Sequence, residues 1–248
     1  MKIKLPQGWS LIEKTETGST NEDVKRLPPG SDKTAVCARI QTGGRGRMGR
    51  RWVSPEGNLY VSFCLEPVRP AEAGVYSFLS AVALMQAIEK LCPGLLVNCK
   101  WPNDLLINGK KVSGILLETN GVDRLIIGIG VNLTPVDEKQ MLYPVTSLCQ
   151  EGFNIERAQM LEALLACFDN WQKCLLSLGI KPVLETWKQK ACGIGGPVTV
   201  NLPDRQLKGT FYGLDQDGCF LLNKEGEILK ITAGDIFFGQ TGKNENVR

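Results

Sequence analysis

The sequence predicts an α+β fold: a mixed sheet with helices, followed by a small C-terminal β module. Three observations carry that reading. Apolar, β-branched runs such as Thr34–Ile40, Asn58–Leu65 and Asp123–Leu133 are broken by Gly, Pro and Asx turns. Two long apolar segments, Gly74–Leu91 and Ile155–Gly179, follow the period of a helix and not that of a strand. From Gly193 onward, brief strands alternate with the turn signals "PD", "DQDG" and "KEG", as in a small antiparallel barrel or sandwich. The divisions fall at residues 1–190, 191–240 and a frayed tail at 241–248.

In chain order, "STNEDVKRL" (Ser19–Leu27) opens as a helix. Ser19 with Glu22, and Thr20 with Asp23, both have capping-box spacing, and "PPGSD" ends it. Thr34–Ile40 is a strand, the loop Gln41–Trp52 follows, and Asn58–Leu65 is the next strand. Gly74–Leu91 is apolar on most faces and therefore a buried helix. Residues around Lys100–Gly109 form a hairpin or strand–turn unit, and Lys111–Thr119 and Asp123–Leu133 read as neighbouring core strands. Ile155–Gly179 sets Leu161, Leu164, Leu165, Phe168, Trp171, Leu175 and Leu178 on one helical face. Val183–Cys192 makes a shorter helix.

Composition narrows the chemistry. There is no histidine, which removes Ser-His-Asp and Cys-His catalysis and every histidine metal site. The work must be done by positioning and charge stabilisation, or by a metal on oxygen ligands. Net charge is only +3, yet residues 39–51 hold five arginines and no acid, leaving −2 for the remainder. That distribution argues against a nucleic-acid coat. The nine cysteines contain no C-x-x-C, and "MKIKLPQGWS" has no apolar h-region. Reduced, mostly buried thiols in a cytoplasmic protein without membrane spans are expected.

The loop "QTGGRGRMGRRW" (Gln41–Trp52) spells G-x-G-x-x-G through Gly44, Gly46 and Gly49. With 27 glycines in 248 residues, chance supplies that spacing about 0.3 times per chain. A dinucleotide turn also needs a helix after it. Here Pro55 and Gly57 follow and the chain runs into a strand, although Glu66 stands near the right distance for the acid. Glycines that admit close backbone approach, with Arg45 and Arg47 as forked donors, suit a polyanion clamp. Such a loop has little of its own to pack. "KWPNDLL" (Lys100–Leu106) adds Asn103 and Asp104, oxygen ligands of the kind Mg²⁺ takes beside substrate phosphates. Lys111 precedes a core strand, where an ammonium can meet a phosphate. "GIGVNL" (Gly128–Leu133) brings small residues and Asn132 to a strand end, as a flat ligand needs.

"GSTN", "QTGGRGRMGRRW", "SPEGNLYVSF", "KWPNDLLINGKKVSGILLE" and "IGIGVNL" together resemble the biotin protein ligases (biotin–[acetyl-CoA-carboxylase] ligases), over roughly residues 17–240. The resemblance implies a class II synthetase-like catalytic domain and an SH3-like C-terminal barrel. It implies ATP-dependent formation of biotinyl-5′-AMP with Mg²⁺, then transfer to a lysine of a biotin carboxyl carrier protein or domain. It implies that Ser19, Thr20, Asn21, Gln41, Gly44, Arg45, Gly46, Arg47, Lys111, Gly114 and Gly128 meet biotin. Arg45, Arg47, Trp52, Lys111, Gly130 and Asn132 would meet ATP or the adenylate. Arg47, Lys111 and Asp104 would be catalytic, Asp104 orienting the acceptor amine, with Asn103 on the Mg²⁺ side. Arg50 and Arg51 are left as solvated charge or site residues. Only 18 residues precede Ser19, too few for the DNA-binding domain of bifunctional members, so a monofunctional ligase without nucleic-acid binding is expected, as monomer or homodimer. The alternative is a lipoate or octanoyl protein ligase of the same fold.

Overall fold

The computed structural model describes residues 3–69, 72–121, 123–137 and 143–238; the expected tail at 241–248 lies outside them. Strands β1 (Ser10–Thr17), β2 (Thr34–Gln41), β3 (Leu59–Leu65), β4 (Asn98–Lys100), β5 (Asp104–Ile107), β6 (Lys110–Asn120) and β7 (Arg124–Val131) form one sheet in the order β1-β2-β3-β7-β6-β5-β4. Only β1 and β2 run parallel; every other neighbour is antiparallel. The sheet is mixed because α1 (Thr20–Lys25) supplies the single crossover.

The alternation of β7 organises both faces. Leu125, Ile127, Ile129 and Val131 enter the main core with Val61 and Phe63 of β3. That core is covered by α2 (Val75–Leu91), α3 (Arg157–Leu178) and α4 (Lys181–Gln189). On the opposite face Ile126 packs with Val24, Val36 and Cys64 beneath α1, and beyond Ile126 the same face carries only Gly128 and Gly130. α2 is buried nearly all round, as its composition predicts. Trp9, Phe63 and Phe168 meet edge to face at 4.7–6.0 Å and seat α3 on the sheet. Leu178 departs from expectation: it ends the helix 68% exposed, past the α2 surface that buries Leu161 to Phe168.

The remaining strands, β8 (Pro197–Asn201), β9 (Gln206–Leu214), β10 (Phe220–Lys224), β11 (Glu227–Ile231) and β12 (Asp235–Phe238), make a separate antiparallel sheet in the order β11-β10-β9-β8-β12. Phe211 and Phe220 stack at 4.1 Å in its core. Its turn at Gly218 accepts the Trp101 indole N–H at 3.2 Å and leaves no room for a Cβ against Phe78. The two sheets are thereby pressed together beside the "KWPND" segment.

One other expectation changes. The capping boxes of α1 do not form: Ser19 makes no side-chain cap, Asp23 accepts from Thr17, and the Thr20 N–H is taken by Gln41 Oε1 at 2.9 Å. Glu66 serves no ribose; it pairs with Arg124 at 2.8 Å, and that guanidinium also caps Leu27 O and Pro28 O. All nine cysteines are free thiols; four are buried, while Cys149 is exposed and the rest intermediate. No helix among the described residues is long and apolar enough to cross a membrane.

Asp169 accepts from Trp9 Nε1 and pairs with Lys33 and Lys173. Burial alone would raise its carboxyl, but those partners win and hold it at about 2, against an ordinary 3.8. A depressed carboxyl contributes stability above its unfolded pKa and loses it as pH falls through its folded one. Asp169→Asn should therefore cost roughly 2 kcal/mol at pH 7. Urea unfolding at descending pH should show wild type and variant converging between 3.8 and about 2.

Candidate active site

The bare glycines of β7 open a cavity of about 240 Å³ between the sheet face, α1, the arginine loop and β12. Of the residues singled out in the sequence, all but Gly44 line it. Gly44 is a packing residue: a Cβ there would stand 2.4 Å from the Trp52 carbonyl.

The floor is set by register. Gly114 of β6 faces Gly130 of β7, and Leu116 faces Gly128. Side chains from elsewhere fill the missing volume. The Asn21 amide lies on Gly128, where a Cβ would meet its Oδ1 at 2.1 Å, and the Trp52 indole lies on Gly130, where a Cβ would meet the ring at 2.6 Å. Trp52 Nε1 is buried without an acceptor among the described residues.

The Gly128 end carries neutral polar groups. Gln41 Nε2 donates to Ser54 at 3.0 Å, which fixes the Gln41 amide so that Oε1 faces α1. Thr20 and Ser62 hydroxyls meet at 2.6 Å, and Asn21 donates to Glu118 at 2.6 Å. The Gly130 end is cationic. Lys111 Nζ pairs with Asp104 at 2.7 Å and stands 5.3 Å over the Trp52 ring. Lys100 Nζ lies 5.1 Å from the Tyr143 ring and 5.6 Å from Phe237, with no carboxylate in ion-pair distance among the described residues. Burial lowers its pKa, partly opposed by Asp104.

The arginine loop, expected to find little to pack against, is held by carboxylates. Its backbone closes through Gly46 N–H to Arg50 O and Trp52 N–H to Gly44 O. Arg47–Gly49 make a 3₁₀ turn with Met48 at φ 55°. Arg45 pairs with Glu22 and Glu118. Arg47 reaches Asn103 Oδ1 at 3.3 Å and Gly234 O at 3.4 Å, and burial lowers its pKa without discharging it. Arg50, left open by the sequence, is no solvated charge: it donates to Asp235 at 2.9 Å and to Tyr143 at 3.0 Å. Arg51 is exposed, although it lines the rim. Asn103 is already engaged, since Nδ2 donates to Ile115 O at 2.6 Å. Asn132 is a strand-end clamp as well, donating to Thr146 O at 3.0 Å.

Sequence reasoning missed Tyr60, Ser62, Tyr143 and Asp235, and left Lys100 without a role. Lys100 stands in the quoted "KWPND", and Ser62 is a polar residue inside an apolar strand, so both had a signal. Tyr143 and Asp235 come from distant segments and had none.

Residues 9–132 match the model of the biotin/lipoate A/B protein ligase family, and residues 193–239 match the biotin protein ligase C-terminal domain. The biotin–[acetyl-CoA-carboxylase] ligase of Paracoccus denitrificans is 36% identical over 235 residues, 90% of this chain and 98% of the relative. The chain belongs to the biotin protein ligase family. The bifunctional ligase/repressor BirA of Bacillus subtilis is 38% identical over 94% of this chain and 75% of its own length. Among solved structures, the Aquifex aeolicus biotin protein ligase in complex with biotin and ATP superposes with TM-score 0.83 at 30% identity, covering 94% of this chain and 99% of that one. The family's fold, a large mixed sheet with a small C-terminal antiparallel sheet, is therefore the fold of this chain.

The seat of Trp52 can be tested directly. Gly130→Ala places a methyl group 2.6 Å from the indole and must displace it. Fluorescence difference spectra against Trp52→Phe should show red-shifted Trp52 emission in the Gly130→Ala background. Catalysis should fall on the order of 10²-fold, as for misplacement by about 1 Å.

Proposed function

We propose that this enzyme condenses biotin with ATP to biotinyl-5′-AMP, then transfers the biotinyl group to a lysine of a biotin carboxyl carrier domain. One observation carries the reading: a single cavity has a neutral hydrogen-bonding end over Gly128 and a cationic end over Gly130. Two residues along a strand span about 7 Å. A ligand with an uncharged polar ring and an anionic tail fits that polarity.

In the first step the biotin carboxylate, ionised at pH 7, attacks the α-phosphorus of ATP. An O–P bond forms and the bond to pyrophosphate breaks. No general base is required, which agrees with the absence of histidine. Lys111, beside the indole and Asp104, is placed to neutralise the carboxylate and α-phosphate as they approach, and Arg47 to hold the adenylate. Lys100 adds a cation with no carboxylate in ion-pair distance among the described residues. Mg²⁺ would come with ATP and would offset phosphate charge, and Asn103 Oδ1, now 3.3 Å from Arg47, would be the protein oxygen to hold it. In the second step a lysine amine attacks the acyl carbon, a C–N bond forms, and AMP leaves. Asp104 is the carboxylate at hand to orient that amine and receive its proton. Ser19, Thr20, Asn21 and Gln41 would meet the biotin ring, with Arg45 and Gly46 closing above it. Trp52, whose N–H has no acceptor among the described residues, and Asn132 would flank the adenylate, on the floor formed by Gly114, Gly128 and Gly130.

We further propose residues 1–190 as the catalytic domain and 191–240 as the C-terminal domain, the latter supplying Asp235 to the loop. The arginines are committed inward, to Glu22, Glu118 and Asp235, which supports a small anionic ligand over a nucleic acid.

The test is Mg²⁺-dependent exchange of labelled pyrophosphate into ATP. Exchange should require biotin and ignore lipoate; exchange with lipoate instead, or with neither acid, overturns the reading. Lys111→Ala should reduce the exchange rate by about 10²–10³-fold. Arg47→Gly should release biotinyl-AMP into solution faster than wild type, measured by trapping after a single turnover.

A further inference from the structure

Glu118 lies outside the cavity lining, yet its carboxylate gathers three donors, two from α1 and one from the arginine loop. Asn21 Nδ2 reaches it at 2.6 Å, Lys25 Nζ at 2.9 Å and Arg45 Nη2 at 3.2 Å. Burial alone would raise its pKa, but these partners outweigh burial and hold it below the usual range. At neutral pH Glu118 is therefore ionised, and an ionised carboxylate only accepts hydrogen bonds.

That one-way character propagates. Because Glu118 accepts, the edge of the Asn21 amide facing it must be Nδ2, and Oδ1 must face Ser62. Ser62 then spends its only proton on Asn21 Oδ1. The 2.6 Å contact between the Ser62 and Thr20 hydroxyls, which either atom could donate, must then use the Thr20 proton. The Thr20 hydroxyl also stands 3.1 Å from Gln41 Oε1, but that oxygen is already served by the Thr20 backbone N–H at 2.9 Å, and the 2.6 Å Ser62 contact is the shorter claim on the single proton; donation to either neighbour leaves only lone pairs. The end of the chain is a Thr20 oxygen with its proton turned away and its lone pairs left over, in a residue that lines the cavity.

We infer that Glu118 is a positioning residue that acts through Asn21 and Ser62 to make Thr20 a hydrogen-bond acceptor toward the ligand. This rests on the reading of the site as a biotin site, and it deepens it: the cyclic urea of biotin carries two N–H donors, and an acceptor is what recognises one. Glutamine at position 118 keeps size and shape but can present either a donor or an acceptor edge, so the direction of the relay is no longer imposed.

The experiment compares biotin with biotin methylated at either ureido nitrogen, in wild type, Glu118→Gln and Glu118→Ala, by biotin-dependent pyrophosphate exchange. A site that hydrogen-bonds a ligand N–H rejects an analogue lacking it. Wild type should therefore discriminate against one of the two methylated forms. In Glu118→Gln the ratio of kcat/KM values for biotin over that form should fall by about tenfold, through KM for biotin, with kcat within about twofold. Glu118→Ala should lose at least as much discrimination. A general structural role would lower both substrates together and leave the ratio fixed. An unchanged ratio in Glu118→Gln, or a wild type indifferent to both methylations, overturns the inference while leaving the ligase reading intact. Wild-type protein with no biotin-dependent exchange at all sinks the two together.

Discussion

Everything at this site depends on two side chains that β7 lacks. A strand in a two-faced sheet alternates, and Ile127 and Ile129 must be apolar because helices cover their side. The intervening positions are free to differ, and Gly128 and Gly130 leave the backbone bare where a covered sheet would carry branched residues. Antiparallel pairing brings Gly114 beside Gly130, so the gap spans two strands. The neutral amide of Asn21 enters it at one end and the indole of Trp52 at the other. A methyl group at either β7 glycine would evict one of them.

Charge is arranged around that gap with the same economy. Arg45, Arg47 and Arg50 project from a loop with few apolar side chains, and each is met by a carboxylate or carbonyl oxygen. Lys111 is met by Asp104. These pairs keep cations concentrated near one cavity without leaving them bare in a low-dielectric site. Incoming phosphates replace one set of anionic oxygens with another, so the protein need not reorganise far. Positioning and charge neutralisation suffice where the nucleophile is a carboxylate, and a chain without histidine can perform the chemistry.

Much of this was legible in the sequence because the signals were local. Strand and helix periods located the large sheet except for its edge strand β1, whose SLIEKTET run is mostly polar and exposed, and Pro55 with Gly57 ruled out a dinucleotide turn. The motif residues converged on one cavity because they flank neighbouring strands. What failed needed tertiary information. Ser19 and Glu22 had capping spacing, but Arg45 and Lys25 compete for Glu22, and Gln41 takes the helix N-terminus instead. Gly44 lies outside the cavity lining, and the Trp52 carbonyl occupies the space a side chain there would need. Arg50 stayed open between solvated charge and site residue because its partner, Asp235, lies 185 residues away. Leu178 kept the helical period after the neighbouring helix had run out.

The bridge from Arg50 to Asp235 joins a loop of the large sheet to the last strand of the small one. Free energies around a closed cycle must sum to zero, so the two ends of that bridge cannot be tuned separately. Whatever part of a ligand's hold on the loop passes through that bridge steadies the C-terminal sheet equally, and fraying of that sheet is returned as weaker ligand retention by the same coupling. A substitution among the stacked phenylalanines of the small core would then masquerade as an affinity defect, although it touches nothing that binds.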